Sequence, residues 1–434
     1  MSELSTQTKG LISKYALWKA SLKPSDASTI HVDEVALKVA AFYEQIRTII
    51  DWKEEHLMRR AAIIRKLKRR FLDLELNNSL PDTMAEFLVL ELIRGGYFPN
   101  DKIEESKIAE VQNIIDKHVF ILKNNPENKQ GKAGLRAHNQ LLEIAACEIE
   151  ETLAPSIKEM ALIDYMFSQM QKRIKIHESA YQSNLLKKEE VDIQIYIAVQ
   201  QSLFKLDTPI ISYNLIKYKY PQWAGATQEE LLRLTQNIEK ILYAIEKDLS
   251  HPLAKKFYAI CEKYDTPYLL LGDILTNENA DSIGLEIIDP PKLEAHIRKA
   301  YLKRLKELKI KIKRAAIYST ISIFITKILS LLVLEIILAK IFGGHLNALY
   351  LIIDILIPTF LISFLIITIQ PPSIRNLNLA VRETMKIIYD KEVTDSYEIK
   401  IARKRSAMTR FILSLSYVLA ACISFGFIFW IFSL

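Results

Sequence analysis

The 434-residue chain is long enough for one sizeable or two modest soluble domains beside a membrane part. It has only 11 glycines and 14 prolines, while Leu, Ile, Lys, Glu and Ala are abundant, and this balance predicts an all-α fold. The net charge of +7 does not indicate nucleic-acid binding. Residues 291–434 hold 21 Lys/Arg against 9 Asp/Glu, which leaves 37 bases against 42 acids in residues 1–290. We therefore expect a mildly acidic body, a basic membrane region and no nucleic-acid partner.

The N-terminal third reads as a tail followed by a helical subdomain. Residues 1–29 are polar and mixed, typical of a loosely ordered tail with one short helix around Leu11–Leu22. From residue 30 the apolar positions recur at helical spacing, and the series continues through Leu57, Ala61, Ile64, Leu67 and Phe71. This pattern predicts a long basic amphipathic helix of about 40 residues that opens a subdomain over residues 30–125.

Two further helices and a loop complete that subdomain. Pro81 suits a first helical turn and Gly95-Gly96 suits a helix end, so Pro81–Arg94 is predicted as a helix. A third helix follows around residues 108–122. The Asn- and Pro-containing stretch at 124–131 is the most loop-like part of the body, and we place a subdomain boundary there.

Residues 133–290 are predicted to form a second helical subdomain. Thr227 and Glu230 have the spacing of a capping box, which predicts a helix start. The segment Lys-Leu-Asp-Thr-Pro at 205–209 recurs as Lys-Tyr-Asp-Thr-Pro at 263–267. The recurrence fits a 58-residue helical repeat, and it equally fits the same cap chemistry used twice.

The C-terminal part holds three nearly unbroken apolar runs, at about 315–341, 348–369 and 411–434. Each reaches the roughly 20 residues that a helix needs to cross a bilayer, so we predict a three-span α-helical membrane domain over residues 315–434. A basic juxtamembrane helix at 291–314 is expected to run into the first span without a break. A cytoplasmic segment at 371–410 joins the second and third spans. The N-terminus has no positively charged start before an apolar core, so we expect no cleaved signal peptide.

Two clusters of bases are candidate contacts for anionic lipid headgroups or for an acidic partner. The first lies in the long N-terminal helix and comprises Arg59, Arg60, Arg65, Lys66, Arg69 and Arg70. The bland interpretation of this cluster is a solvated helix face. The second lies in the juxtamembrane helix and comprises Lys303, Arg304, Lys306, Lys309, Lys311, Lys313 and Arg314.

Three charged residues fall inside or at the edge of the apolar runs, namely Lys327, Glu335 and Asp354. Charges at membrane depth are costly unless they are paired or hydrated, so they are candidate functional residues. The alternative is a role in helix assembly, and we expect Lys327 to pair with Asp354 across the first two spans.

The sequence contains no recognisable catalytic or nucleotide-binding motif, and we expect no cofactor and no enzyme activity. The eight histidines are scattered. The three cysteines, Cys147, Cys261 and Cys422, are too far apart for a CxxC metal site and too few for a disulfide framework. We interpret them as reduced and buried.

The distribution of bases predicts the orientation of the spans. Residues 292–314 carry ten Lys/Arg and residues 371–410 carry nine, whereas 342–347 carry none. By the positive-inside rule the N-terminus is cytoplasmic and the C-terminus external.

These features predict a membrane-anchored helical interaction or scaffolding protein that holds a binding surface at the inner membrane face. Its expected partners are membrane lipids with anionic headgroups, and either another protein or a second copy of the chain. The alternative is a subunit of an oligomeric channel or transporter that uses Lys327, Glu335 and Asp354.

Overall fold

The computed structural model describes residues 4–23, 27–32, 52–77, 84–125, 132–182, 185–277, 284, 286–335, 337, 341, 348–368, 372–389, 395–399 and 407–433. These residues are mostly helical, so the predicted all-α class is confirmed. Within them, no helix combines the length and the apolar character that crossing a membrane requires.

The first part of the chain forms helices α1 to α9 and one short strand. Their bounds are α1 Thr6–Ser21, α2 Trp52–Asn77, α3 Met84–Arg94, α4 Ser106–Asn124, α5 Lys132–Leu153, α6 Ile157–Arg173, β1 Ile174–Ile176, α7 Glu178–Gln182, α8 Lys188–Phe204 and α9 Thr208–Lys219. The second part forms α10 Gln228–Gln236, α11 Ile238–Leu249, α12 Ala254–Lys263, α13 Thr266–Asn277, α14 Pro290–Ser330, α15 Ala348–Ile367, α16 Ile374–Tyr389, β2 Tyr397–Ile399 and α17 Ala407–Ser433. A 3-10 turn spans Pro221–Trp223, and a π-helical turn, Leu331–Glu335, follows α14.

Several local signals in the sequence act as predicted. The chain leaves α3 through Gly96, whose φ of 71° is left-handed, and the Tyr97 amide donates to the Leu92 carbonyl at 3.0 Å. This is a Schellman ending, which favours glycine because a side chain strains a left-handed residue. The capping box of Thr227 and Glu230 opens α10.

The two similar pentapeptides both lie where a helix begins. The first leads into α9, and the second leads into α13 with Thr266 and Pro267 as its first two residues. Both copies place a Pro in the first turn of a helix, although the Asp207 side chain makes no cap hydrogen bond, and the repeat and the common cap chemistry both remain predictions. The proposed boundary at 126–131 lies outside the described residues.

Helix α5 lies between two hydrophobic cores. Leu142, Ala145 and Ile149 pack into the smaller core, with α2, α3 and α4. Ile144 and Cys147 pack into the larger core, which includes α1, α6, α8, α12 and the start of α14. Because both cores share α5, the body has a continuous interior on either side of this helix.

The polar residues of α5 are matched by bases from neighbouring helices. Glu148 is buried and accepts hydrogen bonds from Lys117, from His118 Nε2 at 3.0 Å and from the Trp223 indole at 3.2 Å. Burial alone would raise the pKa of Glu148, but the His118 and Lys117 contacts hold it below its usual value. Glu150, which is also buried, forms an ion pair with His56. Paired carboxylates therefore connect α5 to its surroundings.

Helix α1 covers most of the short helix predicted around Leu11–Leu22, but it packs in the larger core instead of lying in a loosely ordered tail. Thr8, Leu11 and Tyr15 are buried, and they lie on one face of the helix. The short stripe is hard to see in sequence because one of its members is a threonine. The Thr8 hydroxyl donates to the Ile388 carbonyl at 3.1 Å and lies 3.0 Å from the Tyr165 hydroxyl, which satisfies its polar group.

Residues 372–389 and 395–399 pack back onto the body. The last carbonyls of α16 lack partners within the helix, and those of Ile387 and Ile388 accept bonds from Tyr165 and Thr8. Strand β2 pairs in parallel with β1, so that Ile174 is opposite Tyr397. This return segment, residues 372–389 and 395–399, is thus fastened to the helices of the N-terminal part.

The buried pair of Arg60 and Asp207 gives the first testable prediction. Arg60 is 3 % exposed, and its Nη2 lies 2.6 Å from Asp207 Oδ2. Asp207→Ala leaves a buried guanidinium without its partner, which should lower the free energy of unfolding by about 3 kcal/mol. Removing both charges in Arg60→Met/Asp207→Ala should recover part of that loss.

Urea unfolding of the full chain in detergent, followed by tryptophan fluorescence, measures these changes. Asp192→Ala, an exposed site on α8, serves as the control and should change the free energy by less than about 0.5 kcal/mol. Equal losses for Asp207→Ala and Asp192→Ala would show that the pair does not matter to stability.

Candidate ligand groove beside the basic helix

Helix α14 leaves the body from a buried start. Its sequence has no breaker after Pro291 and is rich in Lys, Leu and Ile, which explains one continuous helix of 41 residues. Leu293, Ile297 and Tyr301 lie one turn apart on one face and are its buried residues. At 1.5 Å per residue the helix is about 60 Å long. The predicted continuity of the basic helix with the first apolar run is therefore observed.

Ion pairs and hydrogen bonds fix the orientation of α14. Arg304 forms two hydrogen bonds with the Asp273 carboxylate of α13, through Nε and through Nη2 at 2.9 Å from Oδ1. Arg298 donates to Asn378 of α16 at 3.2 Å. Helices α13, α14 and α16 therefore meet along the part of α14 between residues 293 and 311.

A groove of about 1130 Å³ lies between α13, α14, α16 and β2. Its apolar lining includes Leu305 and Leu308 from α14, and Leu379 and Ala380 from α16. Leu308 and Leu379 are 41 % and 42 % exposed, so an apolar surface is open to the groove. The Tyr397 ring also lines it and stacks on Tyr264, with centroids 4.0 Å apart.

The charges of the groove have a positive surplus. Its lining contains three acids, Glu307, Glu383 and Asp395, and five bases, Lys263, Arg304, Lys311, Arg382 and Lys386. Lys386 lies 2.7 Å from Asp395 and 3.3 Å from Glu383. Its hydrogen bond to Asp395 raises the pKa of Lys386 and lowers the pKa of Asp395, so both groups stay charged near neutral pH.

The bases of the predicted juxtamembrane cluster divide between the groove and other faces of α14. Arg304 and Lys311 line the groove. The others are exposed on α14 and do not line the groove, namely Lys303, Lys306, Lys309, Lys313 and Arg314. Sequence spacing alone did not distinguish these two groups.

The basic cluster of α2 is used mainly within the protein. Arg59 pairs with Glu55 and lies over the Phe98 ring at 5.0 Å. Lys66 pairs with Glu91 at 2.8 Å, and Arg65 donates to the Tyr97 hydroxyl at 2.9 Å. These contacts tie α2 to the residues around α3.

Arg60 corrects the predicted set of lipid or partner contacts, because it is buried against Asp207 and Cys147 and cannot reach either ligand. Arg69 is exposed, and the Arg70 side chain lies outside the described residues. The buried face of α2 carries His56, Arg60, Ile63 and Leu67. Leu67 belongs to the predicted apolar stripe, whereas the other three each precede a predicted stripe position by one residue. Paired polar residues on the inner face explain the shift.

The intramembrane charges stay predictions. Lys327 is half-buried on α14, and the side chains of Glu335 and Asp354 lie outside the described residues. Thr320 and Ser363 lie 3.4 Å apart between α14 and α15, so the first two apolar segments are neighbours.

No family model, curated protein or solved structure matches the chain. Among the described residues, no three His, Cys, Asp or Glu side chains are grouped to hold a metal ion.

The cysteines differ from the uniform prediction. Cys147 and Cys261 are buried, and burial raises the pKa of each thiol to about 12. Cys422 on α17 is exposed. The two buried thiols are therefore uncharged and unreactive at neutral pH.

The groove residues of α16 and β2 were missed by sequence reasoning. They lie more than 60 residues after Lys311, the last groove residue of α14, and nothing local predicts that the segments meet. The available signal was the alternation of Arg382, Glu383 and Lys386 with apolar residues in an amphipathic helix.

The pair of Arg304 and Asp273 provides a test of how α14 is held. Both side chains are partly exposed, at 41 % and 31 %, so the coupling should be modest. A double-mutant cycle with Arg304→Gln and Asp273→Asn should give a coupling free energy of about 1 kcal/mol in unfolding experiments. Lys306→Gln, which removes an exposed base from the same helix, should be nearly neutral. A cycle that gives zero coupling would contradict this assignment.

Proposed function

We propose that the protein is a membrane-anchored helical scaffold, in which α14 connects a helical binding body to a membrane domain and no catalysis is performed. One observation carries the proposal: α14 begins in the core of the body and continues without interruption into an exposed apolar stretch. A single helix of this length would couple the body firmly to the bilayer.

The C-terminal helices expose many apolar side chains, which supports the proposal that an apolar environment surrounds them. Ile325 and Leu329 of α14 are 50 % and 54 % exposed. Phe360 of α15 and Phe425 and Phe429 of α17 are 69 %, 73 % and 78 % exposed. Leaving so much apolar surface in water costs roughly 25 cal/mol per Å², and large exposed apolar patches mark membrane or protein contacts.

The three proposed spans correspond to the complete apolar runs of the sequence, at about 315–341, 348–369 and 411–434. The described residues contain no helix with the length and apolar character of a span, and that finding covers those residues alone. The runs also include positions outside the described residues. A bilayer is the surrounding that suits the sequence of all three runs.

The contacts of the return segment support a placement of this segment and the body on the same side of the membrane. These residues contact α1, α6, α13 and α14, although they lie between the second and third apolar runs. Two spans that leave the body and return to it fit this arrangement. With bases concentrated in 292–314 and 371–410, we assign that side to the cytoplasm and the C-terminus to the outside.

The binding surface of the scaffold would lie on the helical body. Leu135 and Tyr243 are 64 % and 70 % exposed, and their helices, α5 and α11, are joined by the ion pair of Arg136 and Glu246. Exposed apolar side chains on neighbouring helices are typical of a protein contact. A protein partner or a second copy of the chain could pack there.

The channel or transporter subunit is the competing hypothesis. It requires that Lys327, Glu335 and Asp354 line a path in an oligomer. Three spans are few for a lone transporter, so this function would need self-association or a partner.

Ion flux and partner capture distinguish the two functions. The scaffold hypothesis predicts that full-length protein in liposomes conducts no more ions than empty liposomes. It also predicts a protein bound at a fixed ratio to the full chain, whose binding falls at least several-fold in Leu135→Lys/Tyr243→Lys. Leu17→Lys, on α1 and 68 % exposed, is a matched control and should bind normally.

Flux that disappears in Lys327→Met and in Asp354→Leu, at equal reconstitution, would replace the scaffold with the channel hypothesis. Equal partner binding by the double variant and by the Leu17→Lys control would remove the proposed surface.

A further inference from the structure

The groove beside α14 has the features of a lipid site, and the inference that follows rests on the membrane location proposed above. Tyr264 and Tyr397 line one part of the groove, and Lys311 and Pro372 line another part. Lys311 lies four residues before the first apolar run, and Pro372 lies a few residues after the second. One end of the groove therefore lies where the apolar runs begin and end.

The apolar part of the groove is continuous along α14. Tyr301, Leu305 and Leu308 are spaced by four and three residues, so they share one helix face. Leu379 and Ala380 of α16 also line the groove. These five residues present an apolar surface between two helices, which suits a hydrocarbon chain.

The polar part of the groove suits an anion. Lys311 and Arg382 are exposed and line the groove, and the Arg382 side chain is 65 % exposed. The lining bases outnumber the acids by five to three. A phosphate group near Lys311 and Arg382 would receive charge-assisted hydrogen bonds, with an arginine suited to bind two of its oxygens.

The size of the groove also favours a lipid. Its volume of about 1130 Å³ exceeds the roughly 300–1,000 Å³ that is usual for small-molecule pockets. A soluble phosphate compound would leave the apolar lining uncovered.

We propose that this groove binds one anionic glycerophospholipid, with its phosphate at Lys311 and Arg382 and the start of an acyl chain along Leu305, Leu308 and Leu379. A diffuse attraction between the basic helix and the membrane would depend on the number of bases. Binding in the groove would depend on which bases are present.

The test uses the full chain in nanodiscs of phosphatidylcholine with a minor fraction of phosphatidylglycerol. Native mass spectrometry after release from the nanodisc counts the phosphatidylglycerol that stays bound. Lys311→Gln/Arg382→Gln removes two groove bases, one from α14 and one from α16. Lys309→Gln/Arg375→Gln removes two exposed bases from the same helices that do not line the groove, and it is the matched control.

The groove predicts one retained phosphatidylglycerol in the parent protein and in the control. The Lys311→Gln/Arg382→Gln variant should retain on the order of 10-fold less phosphatidylglycerol, because each base near a headgroup strengthens binding and the variant lacks two of them. Leu379→Glu should also lose the lipid, because a carboxylate would face the phosphate and the acyl chain. Soluble glycerol 3-phosphate should not displace the lipid.

Equal loss in the two double variants would mean a diffuse electrostatic contact and would overturn the groove assignment. Displacement by glycerol 3-phosphate would also overturn it, in favour of a soluble phosphate ligand. Thermal unfolding of each variant separates lost binding from lost folding. If alkaline carbonate extracts the parent chain from membranes, the membrane anchor itself fails. An integral protein without bound phosphatidylglycerol would refute the lipid site alone.

Discussion

The attachment of the return segment, residues 372–389 and 395–399, to the helical body is the constraint on which the arrangement depends. Ile387 and Ile388 carbonyls accept hydrogen bonds from Tyr165 and Thr8, and β2 pairs with β1. Because this segment lies between two apolar runs of the sequence, the two proposed spans that flank it would both begin on the same side of the membrane as the body. The positions of α14 and α16, and the groove between them, follow from this attachment.

Helix α5 shows how the body, which contains many charged residues, is packed firmly enough for the return segment to attach to it. It lies between two hydrophobic cores, and its buried carboxylates are matched by His56, Lys117 and His118. Breaking a buried pair is costly because one charge is left without a partner, although an intact pair adds little net stability. These pairs therefore make the packing of α2, α4 and α5 specific. A firmly packed body is what a scaffold or a lipid site at its edge would require.

The sequence predicted those features that depend on neighbouring residues. The breaker-free run after Pro291 predicted the long α14, Gly95-Gly96 predicted the end of α3, and Thr227 with Glu230 predicted a helix start. Features that depend on distant residues were missed. The inner face of α2 contains Arg60, which was predicted to be a surface base. Its burial was missed because its partner, Asp207, is 147 residues away in the sequence. The groove was missed for the same reason, because its lining comes from elements that are far apart in the sequence.

The central claim is that the chain crosses a membrane with the body and residues 372–399 on one side. A direct measurement is cysteine labelling in intact cells with an impermeant maleimide, after Cys147, Cys261 and Cys422 have been replaced. The account predicts that Asn347→Cys, between the first two apolar runs, is labelled from outside. It predicts that Ser373→Cys is labelled only after the cells are permeabilised. Labelling of Ser373→Cys with protection of Asn347→Cys would reverse the orientation, and equal labelling of both before permeabilisation would contradict a membrane crossing between them.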